Sequence, residues 1–234
     1  MIRGRSVKRI FQGWFAALII AVLPGCGREE SPARPGVAGD SGVPAPPTQA
    51  VATIVFLGTS ITAGLGVDPE QAYPAVIQRK LDSAGFRYQV INAGVSGETS
   101  AGSLKKIGWV LRQSPAVLVI ETGANDGLRG QPPEAVQSNI QAIIDTTRVR
   151  SPSTRIILAG MQALPNLGGE YVRRFIAVFP ELARTNQIPL IPFILEGVAG
   201  VDSLNQPDGI HPTVEGQRVV ADNVWGVLEP ALVK

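Results

Sequence analysis

Residues 53–64 read TIVFLGTSITAG, an apolar run that ends in a short polar segment between two glycines. The run Thr53–Leu57 is almost wholly apolar and β-branched, as in a strand that is buried on both faces of a sheet. Strands of this kind occur in parallel sheets that are covered by helices on both sides. Ser60 follows the strand directly, between Gly58 and Gly64, so we expect its hydroxyl at the carboxyl edge of the sheet, where the backbone turns.

Similar apolar runs recur along the rest of the chain. Four more are found at Tyr88–Ile91, Val117–Glu121, Arg155–Ala159 and Pro189–Phe193. Between and after the strands, apolar residues recur at helical spacing: Tyr73, Ile77, Leu81 and Ala84; Val136, Ile140, Ile143 and Ile144; Tyr171, Phe175, Phe179 and Leu182; Val220, Val224 and Leu228. This alternation predicts an α/β domain of three layers with a parallel sheet of about five strands. Pro180 lies inside one helical segment, where we expect a kink or a break.

Polar loops that contain glycine occupy comparable places in this predicted sheet. GTSITAG follows the first strand, residues 92–100 (NAGVSGETS) follow the second, and residues 121–127 (ETGANDG) begin at the end of the third. Residues 208–212 (DGIHP) lie before the last helix. Because the carboxyl ends of parallel strands share one edge, we expect the four loops to meet there and to form the functional site.

The residue types in these loops suit nucleophilic catalysis. A serine hydroxyl needs a base, and His211 is the one histidine in the chain, so a Ser–His mechanism must use it with Ser60. Asp208 can accept the second N–H of the imidazole and fix its tautomer. The N–H groups of Ser60 and Gly94 and the side-chain amide of Asn125 are candidate donors to an oxyanion. The alternative is that each of these residues serves only as a helix cap or a turn residue.

These blocks also resemble a known family. GTSITAG, Gly94, GANDG at residues 123–127 and DGIHP are similar to the conserved blocks of the GDSL-type (SGNH) hydrolases. The similarity is greatest to the branch with bacterial arylesterases, thioesterase I and lysophospholipase L1, and it spans residues 53–230. The resemblance implies a flavodoxin-like sheet of strand order 2-1-3-4-5 and a reaction without metal or cofactor.

The resemblance also implies a role for each matching residue. The implied roles are nucleophile for Ser60, the rest of the triad for Asp208 and His211, and oxyanion donors for Ser60, Gly94 and Asn125. The family usually has an acid before its serine, and this chain has Thr59 there. A threonine carries no charge, so any electrostatic help from that acid is missing.

The implied activity is that of a serine esterase of the arylesterase or lysophospholipase type, with possible action on acyl thioesters. Leu164–Tyr171 (LPNLGGEY) follows the fourth strand, and we expect Leu164, Leu167 and Tyr171 to line the acyl pocket unless the segment is only a surface turn. A carbohydrate or cell-wall O-acetylesterase and a non-catalytic binding lipoprotein are the alternatives. Ser96 is a second candidate nucleophile, which we interpret as pocket wall.

The N-terminal residues predict export. Residues 1–26 read MIRGRSVKRIFQGWFAALIIAVLPGC, a basic start followed by an apolar run that is shorter than the ~20 residues of a membrane span. The end of this segment resembles the lipobox of bacterial lipoproteins. We expect loss of residues 1–25 as a signal peptide and a lipid on Cys26 that tethers a periplasm-facing protein to a membrane. The alternatives are a plain signal peptide, giving a soluble periplasmic or secreted protein, and a retained anchor.

The composition of the chain after residue 25 predicts a tether followed by one domain. Residues 26–50 are rich in Pro, Gly, Ala and Ser and predict a disordered tether, and residues 51–234 form the hydrolase domain. Without residues 1–25 the chain has 17 basic and 19 acidic residues, a net charge of −2 that argues against nucleic-acid binding. One Cys and one His exclude a disulfide within the chain and argue against a Cys/His metal site.

Overall fold

The computed structural model describes residues 51–233. The predicted signal peptide, Cys26 and the predicted tether lie outside the described residues. The strands are β1 Ala52–Gly58, β2 Tyr88–Gly94, β3 Val117–Ile120, β4 Arg155–Ala159 and β5 Leu190–Ile191. The helices are α1 Ser60–Ala63, α2 Tyr73–Ser83, α3 Ser100–Leu111, α4 Ala124–Leu128, α5 Pro133–Arg150, α6 Gly169–Asn186 and α7 Val214–Leu228.

The five strands form one parallel sheet in the order β2-β1-β3-β4-β5, which confirms the predicted class and topology. β1 pairs with β2 up to Gly58 beside Gly94, and with β3 up to Leu57 beside Ile120. These strands therefore end at the same edge, and the polar loops of the sequence begin there.

The apolar character of the central strands explains the core. Every residue of Ile54–Leu57 and of Val117–Ile120 is fully or almost fully buried. Helix α2 packs Tyr73 edge-on against Phe56 of β1, with ring centroids 5.4 Å apart. Burial of a side chain of this size contributes about 1.5–3 kcal/mol, so the strands that carry the site are among the most strongly held parts of the fold.

Two strand ends differ from the sequence prediction. β5 is only Leu190–Ile191 and not Pro189–Phe193, because prolines at 189 and 192 have no N–H for the ladder of an edge strand. β3 stops at Ile120, so Glu121 belongs to the loop at the carboxyl edge.

Two helices also differ from the expected pattern. The apolar pattern does not predict α3, because two serines, Ser100 and Ser103, occupy its buried face. Helix α6 continues through Pro180 without a break. Pro180 is exposed, and so is Ile176 one turn earlier, which leaves the carbonyl that loses its partner open to water. No helix among residues 51–233 is both long enough and apolar enough to cross a bilayer.

Candidate active site

The loop after β1 places a serine at the sheet edge. Ser60 is the first residue of the four-residue helix α1, and Thr59 precedes it as the N-cap residue. The helix ends at Gly64, whose φ of 73° is in the left-handed region that glycine tolerates. Ser60 is 8% exposed, so its hydroxyl is shielded but accessible from one side.

Ser60, His211 and Asp208 form a continuous hydrogen-bonded chain. The Ser60 Oγ lies 2.9 Å from His211 Nε2, and His211 Nδ1 lies 2.6 Å from Asp208 Oδ2. The other oxygen of Asp208, Oδ1, accepts the backbone N–H groups of Ile210 and His211, each at 3.0 Å. The bond from the imidazole, together with these N–H groups, lowers the pKa of Asp208 from 3.8 to about 2. Asp208 is therefore ionised at neutral pH and directs the Nδ1 proton toward itself, leaving Nε2 free to accept from Ser60.

The loop that carries His211 rests on the loop that carries Ser60. The backbone N–H of Gln206 donates to the His211 carbonyl at 2.7 Å, and the Gln206 side-chain amide donates to the Leu65 carbonyl at 2.6 Å. Asn205 and Pro212 form an antiparallel bridge across the same loop. These bonds set the position of the imidazole relative to the hydroxyl, although the two residues are 151 positions apart.

Helix α4 brings Asn125 to the loop after β2. The Nδ2 of Asn125 donates to the Glu98 carbonyl at 3.0 Å. Its neighbour Asp126 is buried and accepts both the backbone N–H of Ser100, at 2.8 Å, and the Ser100 hydroxyl, at 2.7 Å. An amide nitrogen has two hydrogens, so Asn125 can keep the bond to Glu98 and still donate a second hydrogen to a ligand.

The structure corrects the prediction for Gly94. Its N–H already donates to Asn92 Oδ1 at 2.9 Å. A Cβ at position 94 would lie 2.3 Å from the Ala63 nitrogen, so this glycine is needed for close packing of β2 against α1. Three N–H groups in this loop, those of Ser96, Gly97 and Thr99, have no acceptor within residues 51–233. Of these, Gly97 has a φ of 78° and lies next to Glu98, whose carbonyl accepts from Asn125, so its N–H is the candidate donor beside the Asn125 amide.

The sequence offered a signal for this difference. An asparagine two residues before a glycine can accept its N–H in a local turn, as Asn92 does for Gly94. A glycine inside a polar loop, such as Gly97, is the typical residue for a positive φ. Ser96 is exposed, and within the described residues it has no hydrogen bond to His211. The hydroxyl that the imidazole contacts is that of Ser60.

The predicted acyl-pocket residues lie on a partly exposed segment before and at the start of α6. Leu167 and Tyr171 line a surface cleft of about 450 Å³, and Leu164 is 40% exposed outside its lining. The Tyr171 hydroxyl donates to the Gln131 carbonyl at 2.8 Å, and its ring stacks on Phe175. No catalytic residue lines this cleft, so its use as an acyl pocket stays a prediction.

A buried acid lies behind the nucleophile, and the sequence interpretation did not assign it a role. Glu121, the first residue after β3, is fully buried, and its carboxylate accepts hydrogen bonds from Thr59 and Thr62. Burial raises the pKa of Glu121, and the bonds from the two threonines oppose that rise. The signal in the sequence was a charged residue at the end of an otherwise apolar strand.

The arrangement can remove a proton from Ser60 and hold the resulting imidazolium against Asp208. Residues 51–233 contain no group of three His, Cys, Asp or Glu side chains that could hold a metal ion. The hydrogen-bonded chain of Ser60, His211 and Asp208 has the geometry for nucleophilic attack by a serine.

Comparisons with known proteins show which proteins the chain is similar to. The model of the "GDSL-like Lipase/Acylhydrolase family" matches residues 56–219. The chain is 40% identical to "Esterase TesA" of Pseudomonas aeruginosa over 184 residues, which cover 78% of this chain and 90% of that protein. It is 33% identical to "Thioesterase 1/protease 1/lysophospholipase L1" of Escherichia coli (strain K12) over 179 residues, covering 76% and 84%. A crystal structure of TesA has a TM-score of 0.74 at 40% identity and covers 77% of this chain and 99% of that one.

Proposed function

The chain belongs to the GDSL-like lipase/acylhydrolase family and is a serine esterase, and on this basis we propose that it hydrolyses small acyl esters through an acyl-enzyme on Ser60. One observation carries the proposal: the chain of hydrogen bonds from Ser60 Oγ through His211 to Asp208, at 2.9 and 2.6 Å.

In the first half-reaction, Ser60 Oγ attacks the acyl carbonyl carbon while its proton passes to His211 Nε2. The tetrahedral intermediate collapses as the bond to the leaving oxygen or sulfur breaks, and His211 returns the proton to that atom. In the second half-reaction, water attacks the acyl-enzyme, His211 accepts a proton from it, and the acid is released as Ser60 regains its hydrogen. Asp208 stabilises the imidazolium in both halves.

We infer that the oxyanion is held by three donors. The N–H of Ser60, the first in its helix, has no intrahelical acceptor, because the first N–H groups of a helix never have one. The second hydrogen of Asn125 Nδ2 and the N–H of Gly97 complete the set, and Gly97 replaces Gly94 because the N–H of Gly94 is already bonded. Loss of one such donor typically lowers kcat by on the order of 10²–10³-fold.

The experiment measures kcat and KM on a series of p-nitrophenyl acyl esters. We expect Ser60→Ala and His211→Ala to lose nearly all activity, and Ser138→Ala, a change of an exposed serine on helix α5, to keep it. A fluorophosphonate probe should label the wild type at Ser60 and leave Ser60→Ala unlabelled. Substantial turnover by Ser60→Ala, or labelling at Ser96, would contradict the mechanism.

We propose action on thioesters as well, supported by the resemblance to the Escherichia coli protein named as a thioesterase and lysophospholipase. Leu164, Leu167 and Tyr171 are proposed to set acyl length, since two of them line a surface cleft in the segment that follows β4 in the chain. Leu167→Ala should shift the chain-length optimum for esters and for acyl-CoA thioesters alike. An unchanged profile would remove this segment from the pocket.

We propose, finally, that the protein is exported and tethered by a lipid on Cys26. The support is the sequence alone: a basic start, an apolar run and a cysteine after Leu23-Pro24-Gly25. Growth with an alkyne fatty acid should label the wild type in the membrane fraction, and Cys26→Ser should be unlabelled. Equal labelling of both proteins, or none of either, would contradict the proposal.

A further inference from the structure

The carboxyl group of Glu121 has no part in the proposed reaction, yet it is fully buried. Within residues 51–233 it forms no ion pair with a lysine, an arginine or the histidine. Burial of a carboxylate is costly unless hydrogen bonds replace the water that it loses. The residues that donate these bonds therefore indicate what the acid does.

Two of the donors belong to the residue before the nucleophile. The backbone N–H of Thr59 donates to Glu121 Oε2 at 2.8 Å, and the Thr59 hydroxyl donates to the same carboxylate, 2.9 Å from Oε1 and 3.1 Å from Oε2. The Thr59 side chain makes no cap to helix α1, although it occupies the N-cap position. Both polar groups of Thr59 that can donate are thus directed at one acid, which directly follows the neighbouring strand β3.

Close packing leaves this arrangement little freedom. A Cβ at position 58 would lie 1.9 Å from Thr62 Oγ1 and 2.8 Å from Glu121 Oε2. The side chains of Thr62 and Glu121 therefore fill the space that a side chain at position 58 would need. Thr62 Oγ1 also donates to Glu121 Oε2 at 2.8 Å, and it lies 2.7 Å from the Tyr73 hydroxyl. The acid cannot move without displacing the turn that carries Ser60.

We propose that Glu121 is a positioning residue for the nucleophile: it holds Thr59 by its N–H and its hydroxyl, and so fixes the backbone from which Ser60 projects toward His211. The inference rests on the proposed role of Ser60. It also gives Thr59 a role, because both of its donors hold the acid that follows β3.

The simpler alternative is that the acid only stabilises the fold, and the chain offers a matched control for it. Thr59→Val and Thr62→Val each remove one hydroxyl donor to Glu121 while they preserve side-chain shape. A purely structural acid predicts similar losses of melting temperature and of activity in both variants. A positioning acid predicts that activity depends on Thr59 far more than on Thr62.

The experiment compares Thr59→Val, Thr59→Ser and Thr62→Val by melting temperature, by kcat and KM on one p-nitrophenyl ester, and by the rate of fluorophosphonate labelling at Ser60. For Thr59→Val we expect kcat and the labelling rate to fall by about 10- to 100-fold with little change in KM, because small misplacements of a reacting group cost on this scale. Thr59→Ser keeps the hydroxyl and should retain most activity. Thr62→Val should lose melting temperature, but its kcat and labelling rate should fall far less than those of Thr59→Val.

The proposal is overturned if Thr59→Val labels and turns over like the wild type, or if Thr62→Val loses as much activity as Thr59→Val. Should Thr59→Val fail to fold, Glu121→Gln is measured by the same probe, and an unchanged labelling rate overturns the proposal equally. An active Ser60→Ala would instead remove the proposed mechanism itself, so the two failures are distinguishable.

Discussion

Replacement of Asp208 by asparagine is the most informative single change in the triad. The carboxylate serves two sets of donors: Oδ2 accepts from the His211 ring, and Oδ1 accepts the N–H groups of Ile210 and His211. An asparagine has only one acceptor oxygen. If that oxygen keeps the two backbone bonds, its NH₂ group faces Nδ1, and the ring must carry its proton on Nε2. His211 would then present a proton to Ser60 and could not act as its base.

The magnitude follows from what the variant must give up to recover the active tautomer. The amide has to turn its oxygen to the ring, which loses two backbone hydrogen bonds at about 1 kcal/mol each. A neutral acceptor also replaces a charged one, at a further cost of about 1 kcal/mol. This cost is small for the loss of a charged acceptor, because the Asp208 side chain is 45% exposed and water screens its charge. The total of about 3 kcal/mol corresponds to a fall in kcat of about 100-fold, at 1.4 kcal/mol per factor of ten.

The assay is steady-state hydrolysis of a p-nitrophenyl ester at neutral pH, with melting temperature as the check on folding. Asp202→Asn is the matched control, because Asp202 is an exposed acid six residues away. We expect Asp202→Asn to retain wild-type kcat. If Asp208→Asn folds normally and keeps kcat within about threefold of the wild type, the tautomer argument is refuted.

Three further predictions follow from packing, burial and loop contacts. Gly94→Ala should lower the free energy of unfolding by about 1–3 kcal/mol, measured by urea denaturation, because its Cβ would lie 2.3 Å from the Ala63 nitrogen; an unchanged value would contradict this close approach. Burial raises the folded-state pKa of Glu121, so its contribution to stability is greatest below its unfolded pKa of 4.5 and is lost as pH rises through the raised value. The stability of the wild type relative to Glu121→Gln should therefore fall as pH rises above 4.5, and a rise would contradict the argument. Tyr171→Phe removes the hydrogen bond to the Gln131 carbonyl and should change the melting temperature little while it alters acyl-length preference; an unaltered preference would argue against a binding role for this loop.

The sequence predicts the sheet well because burial of its inner strands β1, β3 and β4 is nearly complete. An apolar run such as Val117–Ile120 has few alternatives to a central parallel strand, and strand order follows from the resemblance. Helix α3 could not be read from an apolar period, since Ser100 and Ser103 face inward and are satisfied by Asp126 and Glu98. These pairings join residues 26 and 5 positions apart, and composition does not reveal either of them.

The sequence predicts which kinds of side chain form the candidate site, but it does not predict every contact among them. The spacing of Asp208 and His211 and the lack of another histidine were enough to bring these residues to Ser60. The choice between Gly94 and Gly97 depends on whether one N–H is already bonded, which only the backbone conformation reveals. The role proposed for Glu121 depends on a contact between neighbouring strand ends 62 residues apart.

Helix α7, near the C-terminus, contacts the start of helix α2, and this contact bears on when activity appears during folding. Gln217, buried at the start of α7, accepts the N–H of Tyr73 at 2.8 Å across 144 positions of the chain. His211 lies just before this helix, so the base reaches the nucleophile only after α7 has closed this long loop. Contacts of such sequence separation form slowly, because the entropy of loop closure is lost before they are made. A chain still emerging from the ribosome therefore has its serine without its base.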